Sequence, residues 1–268
     1  MMLALEHVDL VYNAGRADEV VALRDLCLEL DRGEFVTIVG TNGAGKSSLI
    51  QAIAGSARPT RGRVRLDGRD ITRLPDYRRA DQVARVFDDP RAGTAPELSI
   101  EDNLALAMSR GRRRGLRFAL TGARRAVMRD RVAGLGLGLE HRLRDPVGLL
   151  SAGQRQSLTM IMAALAAPSV LLLDEHLAAL DPGTSATVLE LTRSVARELG
   201  CTAVMVTHNM DNALATGSRL LVMSRGRVIA DLSGERKAQM TVQGLIDAIT
   251  GAGDSLSDRS ALAEAGNN

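Results

Sequence analysis

Lys46 is one of only two lysines among 34 basic residues, the other being Lys237, and it stands in Gly40-Thr41-Asn42-Gly43-Ala44-Gly45-Lys46-Ser47-Ser48. The spacing G-x-x-x-x-G-K-S after the apolar run Phe35-Val36-Thr37-Ile38-Val39 reads as strand, glycine loop and helix N-terminus, the build of a phosphate-binding loop. Backbone N–H groups of Gly43, Gly45, Lys46 and Ser47 would converge on a polyphosphate, aided by the helix dipole. Lys46 would reach its outer oxygens as a compact point charge, for which arginine's wider planar fork is no substitute. The Ser47 hydroxyl would ligate Mg²⁺. A second group follows at Val170-Leu171-Leu172-Leu173-Asp174-Glu175, a buried strand ending in two carboxylates. Asp174 would hold Mg²⁺ directly or through water, and Glu175 would aim at a water attacking the terminal phosphate. A third, Leu150-Ser151-Ala152-Gly153-Gln154, reads as another helix N-terminus with Ser151 as its N-cap, able to receive an anion on its hydroxyl and N–H groups.

These groups need a scaffold that carries strand ends and helix starts. Residues 3–12, 20–30 and 62–68 cluster β-branched and apolar residues between turns such as Asp31-Arg32-Gly33 and Asp67-Gly68, and they are expected to form a small β layer. Further strands are expected at 83–87, 170–174, 203–207 and 219–223, separated by helical patterns, which implies an α/β chain with a largely parallel sheet. Residues 89–150 interrupt this rhythm with helix-like sequence, and between 108 and 145 there are 11 arginines against Asp130, Glu140 and Asp145. That stretch reads as a solvated helical face, or as a surface for anionic headgroups or a partner's acidic loops. From about residue 252 the chain is small, polar and acidic, and is expected to fray.

Composition excludes several classes. Aromatic residues make up 2% and Trp is absent, so the core must be aliphatic and a base-stacking platform for nucleic acid is not expected. A formal net charge of +2 points the same way. Cys27 and Cys201 lie far apart in apolar strand-like stretches and are expected to be buried, reduced thiols. The first ten residues carry Glu6 and Asp9 and no apolar signal core, and the longest purely apolar run, Met160 to Ala167, is too short to span a bilayer. A soluble chain is expected, with any membrane role exerted through a partner.

Leu150-Ser151-Ala152-Gly153-Gln154-Arg155-Gln156 resembles the signature sequence of ATP-binding cassette (ABC) proteins, which usually carry glycine where Ala152 stands. Other landmarks of that family fall in order across residues 3–235. Tyr12 resembles the aromatic that stacks on adenine, Ala178-Ala179-Leu180-Asp181 the loop that crosses the dimer interface, and His208, after Val204-Met205-Val206-Thr207, the switch histidine at the γ-phosphate. One position departs from the pattern: in Val86-Phe87-Asp88-Asp89-Pro90 the family normally has glutamine at 88, and Gln82, before the strand, cannot stand in. Asp88 would be a further oxygen ligand for Mg²⁺, at the cost of one more carboxylate near Asp174 and Glu175.

The resemblance implies a P-loop NTPase (RecA-like) α/β core with an antiparallel β subdomain and an inserted α-helical subdomain at about 89–150. The cassette would cover 1–235, leaving 236–268 as a C-terminal helix and tail. It implies an ATPase that binds ATP and Mg²⁺ and works as a homodimer of cassettes, each ATP lying between the phosphate loop of one copy and Ser151 to Gln154 of the other. Phe87 to Ala107 and Asp174-Glu175-His176 are most similar to bacterial importer subunits that pair with a membrane permease and an extracytoplasmic solute-binding protein. A cytoplasmic subunit, peripheral on the inner face of the membrane and energising uptake of a small, amino-acid-like solute, is therefore expected. The alternatives are a soluble cassette ATPase unconnected with transport and a non-hydrolysing ATP-binding regulatory module.

Overall fold

The computed structural model describes residues 1–110 and 120–251. The arginines of 111–119 and the tail expected to fray from 252 lie outside the described residues. The chain divides into two compact units, Met1–Arg73 with the residues from Met205 onward, and Leu74–Val204.

In the first unit β1 (Leu3–Tyr12) and β2 (Val20–Leu30) pair antiparallel from Leu3 opposite Leu30 to Tyr12 opposite Val20. The ladder breaks around His7 and Asp25, both at positive φ (50° and 45°), so each side chain beyond the break is re-aimed. Alternation along β2 sends Leu26, Leu28 and Leu30 inward and leaves Cys27 exposed, which corrects the expectation of two buried thiols; Cys201 is buried. The period-2 rule settles the matter, because Cys27 lies between two inward leucines. Next come β3 (Phe35–Gly40), α1 (Lys46–Ala54), β4 (Arg61–Leu66) and the two-residue β5 (Arg69–Asp70). Strand order in the antiparallel sheet is β2-β1-β4-β5.

The second unit opens with α2 (Asp76–Arg79) and β6 (Val83–Val86), then α3 (Ile100–Met108) and α4 (Gly122–Ala133). It continues with α5 (Ala152–Leu165), β7 (Val170–Asp174) and α6 (Pro182–Leu199). Strand β6 runs parallel to β7 from Val83 opposite Val170 to Val86 opposite Leu173. Its helices share an aliphatic core of Ile100, Leu104, Met128, Val132, Leu158 and Ile161. Helix starts are chemically marked: Ser99 caps α3, Thr121 caps α4 and Asp181 caps α6, each side-chain oxygen accepting a backbone N–H of the first turn.

Strand β8 (Thr202–Val206) returns the chain to the first unit, followed by α7 (Met210–Ala215), β9 (Arg219–Ser224), β10 (Arg227–Ser233) and α8 (Gly234–Ala238). Strand β3 lies parallel to β9, with Gly40 opposite Met223. Val39, Leu220 and Val222 are covered by Leu245 and Ile249 of the helical residues 242–251. The second lysine, Lys237, is buried in α8 with its ammonium donating to the carbonyls of Thr216 and Gly217. Every strand read from the sequence is present within two residues of its expected ends. Strand β10 is not among the strands expected from the sequence; its exposed positions alternate with the half-buried Val228, Ala230 and Leu232, the last two packing on the cluster of Val39, Leu220 and Val222.

Candidate functional site

The first unit holds the phosphate loop. Gly40 has φ 155°, and a Cβ there would lie 2.2 Å from the Met223 carbonyl oxygen. Gly45 has φ 97°, and a methyl group added there would lie 2.4 Å from the Ala22 carbonyl oxygen. These glycines are therefore dictated by backbone approach as well as by φ. The Gly226 N–H donates to the Ala44 carbonyl at 2.9 Å, tying the loop to the β9–β10 hairpin, where Arg225 and Gly226 both have positive φ (47° and 80°) and form the turn that suits strand twist. Lys46 is buried, and its ammonium donates to the carbonyls of Gly40 (2.9 Å) and Thr41 (3.0 Å). Thr41, Asn42, Gly43 and Ser47 are exposed, whereas Ala44 is buried.

Tyr12, at the end of β1, is half-buried; its hydroxyl donates to Gln51 Oε1 at 2.8 Å and lies 3.5 Å from Ser48 Oγ. The structure thus brings Tyr12 to the helix that starts at the phosphate loop. His208 follows Thr207, whose N–H donates to the Ile38 carbonyl of β3 (3.2 Å), and its side chain is exposed.

The second unit holds the carboxylates. Asp174 ends β7 and is buried. Arg85 Nη2 donates to Asp174 Oδ2 at 2.6 Å, while Oδ1 accepts no hydrogen bond among the described residues. The free carboxylate oxygen of Asp174 is a hard donor of the kind Mg²⁺ takes, and the Ser47 hydroxyl of the first unit has the same oxygen chemistry, so the residues present fit that ion. Glu175, half-buried, has φ 50°. A bulky residue in the left-handed region is strained, and strain of this kind is retained where the aim of a side chain matters. Next to it His176 is buried, with Nε2 3.0 Å from Thr192 Oγ1. Because that hydroxyl donates to the Val188 carbonyl at 2.8 Å, it accepts from an Nε2–H. Burial pushes the His176 imidazole down to about 3, so the ring is neutral at pH 7.

Asp88 follows β6 and is exposed, as is Asp89. Among the described residues no three His, Cys, Asp or Glu side chains gather into a metal cage.

Ser151 caps α5 in a reciprocal capping box: Gln154 N–H donates to Ser151 Oγ (3.3 Å) and Ser151 N–H to Gln154 Oε1 (3.1 Å). Both residues are committed to shaping a helix N-terminus whose first N–H groups face outward. Ala152 is not among the residues at positive φ, so its methyl group carries no backbone strain. At Gly153 a Cβ would lie 2.2 Å from Thr184 Cγ2, which brings α5 against the start of α6. There Asp181 Oδ1 accepts the Thr184 N–H at 3.0 Å. Those hydrogen bonds from Thr184 hold the Asp181 carboxyl below its usual range. In this way the signature segment and the Asp181 loop are joined.

Arg85 and Gln156 are polar partners that the sequence pattern does not single out. Gln156 is fully buried in α5 and its Nε2 donates to the Phe87 carbonyl at 3.2 Å. The available signal was a charge inside the apolar run Val83-Ala84-Arg85-Val86-Phe87, since a cation in a largely buried strand requires a counter-charge.

Comparison with known proteins fixes the class. The profile of the ABC transporter family matches residues 23–178. The chain is 42% identical over 223 residues to a tyrosine transport ATP-binding protein of Clostridioides difficile (strain R20291), covering 83% of this chain and 88% of that protein. It is 38% identical over 215 residues to a methionine import ATP-binding protein of Thermobifida fusca (strain YX), covering 79% of this chain and 64% of that protein. Among solved structures, a dimeric post-hydrolysis state of an ATP-binding cassette bound to ADP and phosphate superposes with a TM-score of 0.73 at 28% identity, over 87% of this chain and 98% of that one. The chain belongs to the ABC transporter family. It has the α/β fold of an ABC cassette, binds and hydrolyses ATP, and serves as an ATP-binding subunit of a transport system. No helix among the described residues is long and apolar enough to cross a membrane.

Proposed function

We propose that this chain energises import of a small amino-acid-like solute, aromatic amino acids first, through a separate permease on whose inner membrane face two copies dock. The cassette proper is taken as 1–235, with 89–150 as its helical insert and 236–268 as a C-terminal appendage. Lys46 exchanges the Gly40 and Thr41 carbonyls for phosphate oxygens when ATP arrives, while the loop N–H groups from Gly43 to Ser48 hold the remaining charge. Tyr12 stacks on the base. Ser47 and Asp174 hold Mg²⁺, which supplies charge stabilisation of the leaving phosphate when bound. Glu175 takes the proton of the attacking water and His208 touches the terminal phosphate.

The observation that carries the reading is the capped N-terminus of α5 at Ser151. A chain with its own phosphate loop has no need of a second anion receptor unless that receptor serves the ATP of another copy. Support for the solute class comes from the tyrosine transport relative, of which the chain covers 88%. An extracytoplasmic solute-binding protein belongs to the same proposal.

The test is reconstitution with a permease and a solute-binding protein, in proteoliposomes. ATPase activity should rise at least about fivefold with tyrosine or another aromatic amino acid, and not with spermidine. Stimulation by polyamine alone would overturn the solute class, and no stimulation by any amino acid would overturn import of this type.

A further inference from the structure

Arg85 is a cation in an otherwise apolar strand, and its surroundings are tight. Its side chain is 20% exposed and that of Asp174 only 9%. One nitrogen, Nη2, bonds Asp174 Oδ2 at 2.6 Å, the guanidinium carbon lies 4.6 Å from the centre of the Phe87 ring, and Nε is buried without a hydrogen-bond partner among the described residues. Such an arrangement is a poor way to stabilise β6. A well-packed apolar residue would serve the strand as well or better, because the desolvation of a buried ion pair offsets most of its attraction and the unused N–H adds to the cost. The pair therefore points to a role beyond folding, and its partner is the carboxylate that the proposed function gives to the metal.

We infer that Arg85 is a positioning residue that serves as the resident counter-ion of Asp174, occupying the carboxylate in the nucleotide-free chain so that a divalent cation enters with the triphosphate and not ahead of it. Two effects compete. By fixing Asp174, Arg85 spares the metal the entropy of ordering one short side chain, a modest gain. Against this, a guanidinium already sharing the carboxylate repels an incoming doubly charged ion at close range in a largely desolvated setting, which is the larger effect. The net result is weak metal binding by the protein alone. A triphosphate brings enough negative charge of its own to reverse the balance, and Oδ1 remains available while Arg85 keeps Oδ2. The Phe87 ring against the guanidinium holds it in place as the metal arrives.

This rests on the reading of Asp174 as a metal-holding residue, and the experiment separates the two. Binding of Mn²⁺, as the probe for Mg²⁺, is followed by electron paramagnetic resonance on the full chain, with and without ATP. The parent should bind Mn²⁺ weakly alone and at least about tenfold more tightly with ATP. Arg85→Met, checked for folding by its thermal melt, should bind Mn²⁺ without nucleotide at least about tenfold more tightly than the parent. Arg85→Lys should stay like the parent, and adding Asp174→Asn to Arg85→Met should abolish the gain. Should Arg85→Met not fold, Arg85→Gln carries the same expectation. Nucleotide-free Mn²⁺ affinity within twofold of the parent in the folded neutral variant would overturn the role of Arg85 alone. A parent that takes up no Mn²⁺ even with ATP would overturn the metal site as well.

Discussion

Glu175 lies one residue past β7 and Asp88 two residues past β6, yet they differ in how firmly the backbone aims them. Glu175 is held at φ 50°, a geometry that a freely chosen loop residue would abandon. Asp88 is exposed and its position departs from the family's glutamine. Under the proposed function, a carboxylate there adds negative charge to a site that must accept a polyphosphate, so Asp88→Gln should raise steady-state turnover about threefold or more at limiting Mg²⁺. Rates in the parent and the variant across a Mg²⁺ series check this, and identical curves would make the departure silent. A second prediction concerns His176. The unfolded chain protonates this ring near pH 6.5 and the folded chain only near 3, so between those values the unfolded state holds more protons. Stability from the neutral ring is complete above about pH 6.5 and falls as the pH drops toward 3. His176→Gln keeps a donor for Thr192 and removes the titration. Between pH 6.5 and 5 the parent should lose about 2 kcal/mol more than the variant in urea unfolding. Most of these residues were legible in the sequence, because glycine, lysine and carboxylate spacing is itself the chemistry. Arg85 was not, since its counter-charge lies 89 residues away on another strand and only the fold pairs them.

Among the elements, the inward rows of β1, β2, β3 and β7 announce themselves by alternation or by unbroken apolar runs, and the caps Ser99, Ser151 and Asp181 mark the starts of their helices. Strand β10 escaped because its inward row, Val228, Ala230 and Leu232, is only half-buried and holds one small residue, while the exposed Ile229 blurs the alternation. Cys27 was misplaced for a related reason: apolar neighbours suggested burial, whereas the pleat assigned the outer face. Glycine in the phosphate loop gives the sharpest element-scale prediction. Gly45→Ala places a methyl group 2.4 Å from the Ala22 carbonyl oxygen at φ 97°, so β2 or the loop must shift. Loss of about 2 kcal/mol or more is expected, with ATP affinity falling alongside. Gly43→Ala meets nothing within 4 Å at φ 77° and should cost only the φ strain, about 1 kcal/mol. Equal melting temperatures for the two variants would contradict the packing argument.

For the molecule as a whole, the proposed function makes the phosphate loop and the capped start of α5 two anion receptors on one chain, and so makes the working unit a pair. Sequence made this legible through order rather than through any single motif: loop, signature, carboxylates, Asp181 and His208 occur in the succession the family uses. What it left open is the solute, because the residues that choose it belong to other chains. The most direct measurement is the mass in solution, by light scattering, of Glu175→Gln with ATP and Mg²⁺ and of the same protein with ADP. Removing the base blocks hydrolysis while leaving both receptors intact. A particle of twice the 28.5 kDa chain mass is expected with ATP, the 28.5 kDa chain with ADP, and no doubling when Ser151→Arg is added. A particle that binds ATP yet stays at 28.5 kDa would contradict the pairing.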